Sequence, residues 1–527
     1  MKKHFFNFRK TVTALFLFLV IMSAKAYDFD VVIYGATASG VTAAVAASNE
    51  GMKVLLIEPG SNIGGMVTGG LSNSDLGNTV VIGGLTWQFY KECADFYHAE
   101  LFHWPGPEPH VAEKIMTDWL KKNKVTVWFE KKVNRVIKPD KRIEKIILSD
   151  NSEVTAQVFI DAGYEGDLMA RSGVSYTWGR EGRKDYNESY AGLQPVSFTS
   201  HQIDTKLNPF DKNGKLLPLI NNRKQVEYGE ADKGIQSYCF RMVITDVPEN
   251  KLAWTKPSNY RPETYELARR YYVSKPDAPA LFRFWPALPN RKCDVNSSIG
   301  ISTNLLDGSN WDYPEANYAK RDSIWQWHKD YTLGLVWFLR TDSVVPQQVK
   351  DFVKSVGLCK DEFTNTANFP HQLYVREARR MKGEYFMTQH DLMKDTTKYD
   401  AIGMGSYNID IREMQRVPVK FSRYPKLEDE VYNEGYMSIP VSPYQIPYRS
   451  IVPKYTECQN LIVPVCISAS HVAFASFRME PQFMIVGQSA GIAAAMAVKS
   501  KRPVQQIDIF ELQNKLRKSG QIVSFAK

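Results

Sequence analysis

The sequence predicts a discontinuous α/β fold in two parts, on three observations. Near its start the chain alternates an apolar strand, a glycine turn, a small-residue helix and a second strand. From about residue 166 to 436 the composition shifts towards aromatics, proline and scattered charge. Regular α/β patterning then returns, with the run Asn460-Leu-Ile-Val-Pro464 and a small-residue helix over residues 481–500. A pattern interrupted and resumed in this way describes one domain, residues 28–165 and 437–527, carrying an inserted mixed α+β domain.

The first 26 residues stand apart. Lys2, Lys3, Arg9 and Lys10 precede a mostly apolar stretch over residues 11–23, and Ala24-Lys25-Ala26 has the small-residue spacing of a cleavage site. This reads as a secretory signal peptide cut after Ala26, and the expected location is exported, periplasmic or secreted. The apolar stretch is short for a membrane span, and no other long apolar run is recognised, so no stable membrane insertion is expected. Cleavage removes five basic residues and no acid, lowering the net charge from +9 to +4. Such a balance calls for no nucleic-acid partner. Six cysteines show no C-x-x-C spacing, so no metal site is expected, and disulfides or buried thiols both stay open.

The first structured element is the β-branched run Asp30-Val-Val-Ile-Tyr34. It enters Gly35-Ala-Thr-Ala-Ser-Gly40, then an alanine-rich helix that Gly51 ends. Lys53-Val-Leu-Leu-Ile57 is a second buried strand ending in Glu58. This is a βαβ unit of Rossmann type. A dinucleotide pyrophosphate needs backbone N–H groups and a helix start aimed at it. Gly35 allows the tight turn, Gly40 allows close helix–strand packing, and Thr37, Ala38 and Ser39 line the turn between them. Thr37 departs from the usual middle glycine. Glu58 can accept from ribose hydroxyls and would repel a 2′-phosphate, which argues against NADP. Just beyond it, Gly64-Gly65-Met66 places a glycine pair where backbone can lie along a cofactor.

Residues 125–130, 133–138, 143–149 and 153–160 alternate in short segments split by polar turns, as in a strand plus a β-meander. Ile160-Asp161-Ala162-Gly163 closes the last of these on a small-residue turn.

The chain resembles the FAD-dependent oxidoreductase family of glutathione-reductase-like, two-dinucleotide-binding flavoproteins, in a branch often described near xanthan lyases. The matching stretches are DVVIYGATASGVTAA, VLLIEPGSNIGGMVTGGL, FIDAGYEGDLMARSGV, YVREARRMKGEY, IPYRSIVP and NLIVPVCISASHVAFASFRMEPQFMIVGQSAGIAAA. They run from residue 30 to about 495, and the last two are the narrowest in occurrence. The resemblance implies FAD as cofactor. It places Val133 where relatives pair the adenine through backbone atoms, and Asp161, Ala162 and Gly163 near the pyrophosphate and ribose. It puts Ser468 and the helix starting near Pro481 at the flavin end, with Gly487 and Gly491 admitting a close neighbour. The Gly-Asp pair usual near the ribityl chain is Val465-Cys466 here, which leaves that contact open.

Oxidation of an alcohol by a flavin needs a base for the hydroxyl proton while hydride leaves carbon. His471 lies ten residues before Pro481 and is the candidate base; Tyr448 and Arg449, at the return to the first domain, are further catalytic candidates. Arg376, Arg379 and Arg380 have i, i+3, i+4 spacing and would share a face if helical. Arg376, Arg380 and Arg478 are the candidate clamp for a carboxylate or polyhydroxylated substrate. Trp285, Trp311 and Trp337 suit either a sugar cleft or a core. The expected activity is hydride transfer between a small hydroxylated, carbohydrate-like substrate and FAD, with an unspecified electron acceptor. A flavin-dependent reductase of an unsaturated carboxylic acid and a non-catalytic glycan-binding protein on a flavoprotein scaffold are the alternatives.

Overall fold

The computed structural model describes residues 27–196, 200–296, 299–419 and 430–525. The expected signal peptide lies outside the described residues.

Strand β1 (Phe29–Tyr34), helix α1 (Ala38–Asn49) and strand β2 (Val54–Ile57) form the βαβ unit, followed by β3 (Thr126–Trp128). Then come β4 (Val133–Ile137), β5 (Lys145–Leu148) and β6 (Glu153–Asp161), the meander. They make one sheet in the order β3-β2-β1-β6-β5-β4. Every residue of β2 is buried, as parallel strands covered on both faces require. Strand β6 is long enough for two roles. Its first half pairs antiparallel with β5, Val154 opposite Ile146; its second half pairs parallel with β1, Ile160 opposite Ile33. The late strand Leu461–Ile462 joins β6 in parallel, so the chain's end returns to the sheet that its beginning built.

The long helix Glu480–Ser500 packs on α1. A Cβ at Gly487 would stand 2.3 Å from the Ser39 carbonyl oxygen, and one at Gly491 2.2 Å from that of Ala43, so only glycine permits this contact. The helix is long and apolar enough to cross a membrane, which corrects the expectation that no such run follows residue 26. Its residues through Ala497 are buried in the fold, the ordinary reason a core helix is apolar all round.

Residues 166–436 hold a four-stranded antiparallel sheet in the order Lys292–Asp294, Val243–Thr245, Gly357–Cys359, Lys251–Leu252. They also hold, among the described residues, the 24-residue helix Tyr318–Thr341, capped by the Asn317 side chain, and two two-stranded ribbons, while two more ribbons pair this segment with Met437–Ile439 and Tyr444–Pro447. One apolar core runs from Val31 and Ile33 through Tyr238, Leu335 and Phe369. Arg376 and Arg379 lie on backbone without regular secondary structure, and Arg380 pairs with Thr177 in a short ribbon. The three arginines therefore do not share a helical face, a correction to the spacing argument. All six cysteines are buried free thiols. Trp311 is core, Trp337 is half-buried beneath Arg340, and Trp285 is exposed.

Candidate active site

The glycine turn has the geometry a pyrophosphate cradle needs. Gly35 takes φ +96°, and a Cβ there would stand 2.5 Å from the Gly163 nitrogen; at Gly40 it would stand 2.0 Å from the Gly35 oxygen. Thr37 caps α1, its Oγ1 accepting from the Gly40 N–H at 3.2 Å and donating to the Ala162 carbonyl at 2.8 Å. The hydroxyl thus ties the first turn to the end of β6, a bond the usual glycine could not make. Ala38 and Ser39 occupy the first two helical positions, whose N–H groups have no partner within a helix. Glu58 braces the same turn, accepting from Ala36 at 2.8 Å and Gly60 at 2.7 Å. Burial, outweighing those two bonds, pushes its carboxyl up to about 7.

Asp161 accepts from Gly163 at 3.2 Å and Met169 at 2.7 Å, and burial pushes it likewise to about 7. Ala162 donates to the Tyr34 carbonyl, closing the strand-end turn. Gly64 and Gly65 both have positive φ, and Gly64 donates to the Ala36 carbonyl. At Met66 the backbone N–H donates to the Tyr164 hydroxyl, which itself donates to Glu480 Oε1 at 2.7 Å. Glycine pair, strand-end turn and long helix therefore meet at one tyrosine. Pro481 sits in the first turn of that helix, where its missing N–H leaves no bond unmade.

Three cofactor assignments change. Val133 donates to the Tyr34 hydroxyl at 3.1 Å and accepts from Tyr318 at 2.8 Å, so both backbone groups expected to meet adenine have protein partners. Gly487 faces α1, as a helix-packing residue. Ser468 Oγ accepts from Gly383 at 2.9 Å, pinning the loop before His471.

His471 begins the short helix His471–Phe477 and is 1% exposed. Its Nδ1 lies 2.8 Å from Glu377 Oε2, and its Nε2 has no partner among the described residues. In the neutral ring, the carboxylate would place the proton on Nδ1 and leave the Nε2 lone pair as acceptor. Burial alone would raise Glu377, but His471 and then Arg380 hold it below the usual carboxylate range. The His471 backbone N–H donates to Glu181 Oε2 at 2.8 Å, and Ser470 donates to Glu188 at 2.6 Å. A cavity of about 650 Å³ lined by Trp178, Tyr186, Lys233 and Lys382 opens beside Glu181.

Arg376 and Arg478 converge on Tyr374. The Arg376 guanidinium lies 4.5 Å from the ring centroid, and Arg478 Nη1 donates to the hydroxyl at 3.0 Å. Arg380 goes elsewhere, to Glu181 at 2.6 Å and the Ala469 carbonyl at 3.0 Å, where it fixes the loop carrying His471. Tyr448 is buried with its hydroxyl donated to the Val504 carbonyl at 2.7 Å. Arg449 pairs with Asp400 at 3.0 Å between the rings of Tyr385 and Tyr399. These bonds give both residues structural roles in place of the catalytic ones expected.

The family model described as FAD dependent oxidoreductase matches residues 30–516. The chain belongs to the FAD dependent oxidoreductase family. FAD is accordingly the cofactor of this flavoenzyme. No curated protein matches. Solved structures similar to the chain include THI4 of Thermovibrio ammonificans, 21% identical over 29% of this chain and 66% of that one, TM-score 0.23. The thioredoxin reductase of T. acidophilum is 20% identical over 26% of this chain and 35% of its own, TM-score 0.18. OTEMO in complex with FAD and NADP is 22% identical over 26% of each chain, TM-score 0.20. The flavoenzyme thus spans from a quarter to just under two thirds of the length of these proteins.

The residues present fit the cofactor. Gly35 and Gly40 have no room for a side chain, and Ser39 Oγ and Glu480 Oε2 are buried polar atoms without a partner among the described residues. Ala38, Ser39, Glu58 and the Gly65 backbone are the groups that would hold FAD, while Gly35, Gly64 and Met66, whose N–H groups have protein partners, shape the turn around them. Sequence reasoning missed Glu377, Gln236, Arg241 and Arg412. Glu377 stands within a recognised motif, but nothing in the sequence links it to a histidine 94 positions away.

Proposed function

We propose that the flavoenzyme oxidises a small hydroxylated, carbohydrate-like substrate, with His471 as the base that takes the hydroxyl proton. The observation that carries this reading is the buried His471–Glu377 pair with its unpartnered Nε2. FAD, when bound, accepts the hydride from the carbon bearing that hydroxyl. Glu377 holds the ring in the Nδ1–H tautomer and balances the charge that His471 gains with the proton. Its other oxygen accepts from Gln236 N at 2.8 Å, which fixes the carboxylate. His471 is 1% exposed, so its unpartnered Nε2 presents an acceptor in a dry setting.

Losing a general base slows the chemical step by about 10²–10⁴-fold. His471→Ala should slow anaerobic flavin reduction by that order while FAD stays bound with its visible spectrum little changed. Near-wild-type reduction in the FAD-loaded fraction, or release of FAD, would instead make His471 a brace of the cofactor loop.

Export accompanies this reading on the strength of the basic, apolar and Ala24-Lys25-Ala26 segments. N-terminal sequencing of protein from its host should then begin at Tyr27. A start at Met1 or Lys2 would contradict cleavage.

A further inference from the structure

Behind the His471–Glu377 pair, four guanidinium groups gather around Tyr374 and Cys239. Arg241, Arg376, Arg412 and Arg478 are each no more than 9% exposed. Three have carboxylate partners: Arg241 meets Asp294 at 2.8 Å, Arg478 meets Asp410 at 2.8 Å, and Arg412 meets Glu413 at 3.4 Å. Arg376 has none among the described residues. It donates to neutral acceptors, the Ser237 carbonyl, Asn304 Oδ1 at 3.2 Å and Cys239 Sγ at 3.3 Å. Burial holds its pKa down, and the neighbouring Arg412 and Arg478 add to that. Taking an unpaired charge out of water is unfavourable.

A second observation has the same sign. Buried atoms without a partner among the described residues include Arg241 Nε, Arg478 Nε, Asn304 Nδ2 and Gln236 Nε2. All four are donors; Asn310 Oδ1, on the residue that bonds to the Gln236 carbonyl, is an unpartnered acceptor beside them. The two amide orientations follow from their oxygens, since Asn304 Oδ1 accepts from Arg376 and Gln236 Oε1 from the Arg412 N–H at 3.0 Å. A carboxylate is the side of a small molecule that only accepts, and it would set a negative charge against Arg376, while the Asp75 carboxyl already acts on Arg241 and Arg478. The cluster is wired to the proposed base. Gln236 donates to Glu377, which pairs with His471, and Arg478 caps the end of the helix that His471 begins.

We infer that the substrate is a hydroxy acid, such as an aldonate, uronate or smaller 2-hydroxy acid. Its carboxylate is gripped by Arg376 with Arg478 and Arg241, and its hydroxyl faces His471. The inference rests on the substrate-oxidation reading above for the hydroxyl's fate, while the carboxylate subsite rests on the arginine contacts alone.

The test compares matched acids and neutral molecules on the FAD-loaded enzyme: D-glucuronate against D-glucose, D-gluconate against sorbitol, and L-lactate against 1,2-propanediol. Binding is read from the thermal midpoint and from perturbation of the flavin spectrum, and reduction from anaerobic bleaching. At least one acid should bind at least ~10-fold more tightly than its neutral match. Arg376→Met should weaken that acid by a further ~10–100-fold while leaving the melting point of the ligand-free protein equal or higher, because an unpaired buried charge has gone. A purely structural arginine would lower it. Arg376→Lys, which keeps the charge but loses the fork, supplies a second reading if the methionine variant does not fold. Absence of binding by every acid, equal binding of acid and neutral partner, or unweakened binding by the variants would overturn the carboxylate subsite. Acid binding without bleaching would keep the subsite and overturn the oxidation; bleaching by neutral polyols alone would do the reverse.

Discussion

At Glu480 two local effects oppose each other. A carboxylate in the first turn of a helix is favoured by the helix dipole, but this one is buried, and burial wins, pushing it up to about 8. Its Oε1 accepts from Tyr164, and its Oε2 is the unpartnered atom a proton would occupy. The folded protein therefore keeps this proton between the unfolded value near 4.5 and about 8, while the unfolded chain loses it. Stability contributed by the protonated form is complete below about 4.5 and lost as pH rises through about 8. Glu480→Gln mimics that form, so its melting point should match wild type at pH 4.5 and exceed it by a few degrees at pH 8.5. Parallel curves across this range would show an ionised Glu480 throughout. Residues were the least legible scale in the sequence. Gly35 and Gly40 could be read because each obeys a local rule of turn and packing. Tyr448 could not, because its role depends on Val504, 56 positions away.

Elements were legible where periodicity and burial agree. The meander expected over residues 133–160 appears as β4, β5 and β6, and the helix expected over 481–500 as Glu480–Ser500. Short polar turns and a continuous small-residue run leave few other solutions. The arginine segment failed for a physical reason. Spacing of three and four describes a helical face only if the backbone is helical, and here the guanidinium groups are drawn apart by separate long-range partners. Arg376 reaches Asn304, Arg379 reaches Asp167, and Arg380 reaches Glu181. Charge pairing across the fold overrode the local pattern. The glycines of the long helix show the converse: four-residue spacing predicted a close neighbour, and α1 fills that place.

Across the whole molecule, a single apolar core joins the nucleotide-binding sheet to the segment 166–436, and the proposed site lies along that junction. His471 comes from the late part of the chain, Glu377 and Arg376 from the middle, and Gly35 to Glu58 from the start. Only the group from Gly35 to Glu58 could be assembled from sequence spacing, because only it is local. The central claim, that the turn from Gly35 to Gly40 and the acid after β2 hold FAD, is tested most directly by flavin content. The purified wild-type chain should carry one FAD, released as intact dinucleotide on denaturation. Gly40→Leu drives a side chain into the Gly35 carbonyl, where even a Cβ would stand 2.0 Å away, and should empty the site while far-ultraviolet dichroism stays near wild type. Full FAD occupancy in that folded variant would contradict the placement.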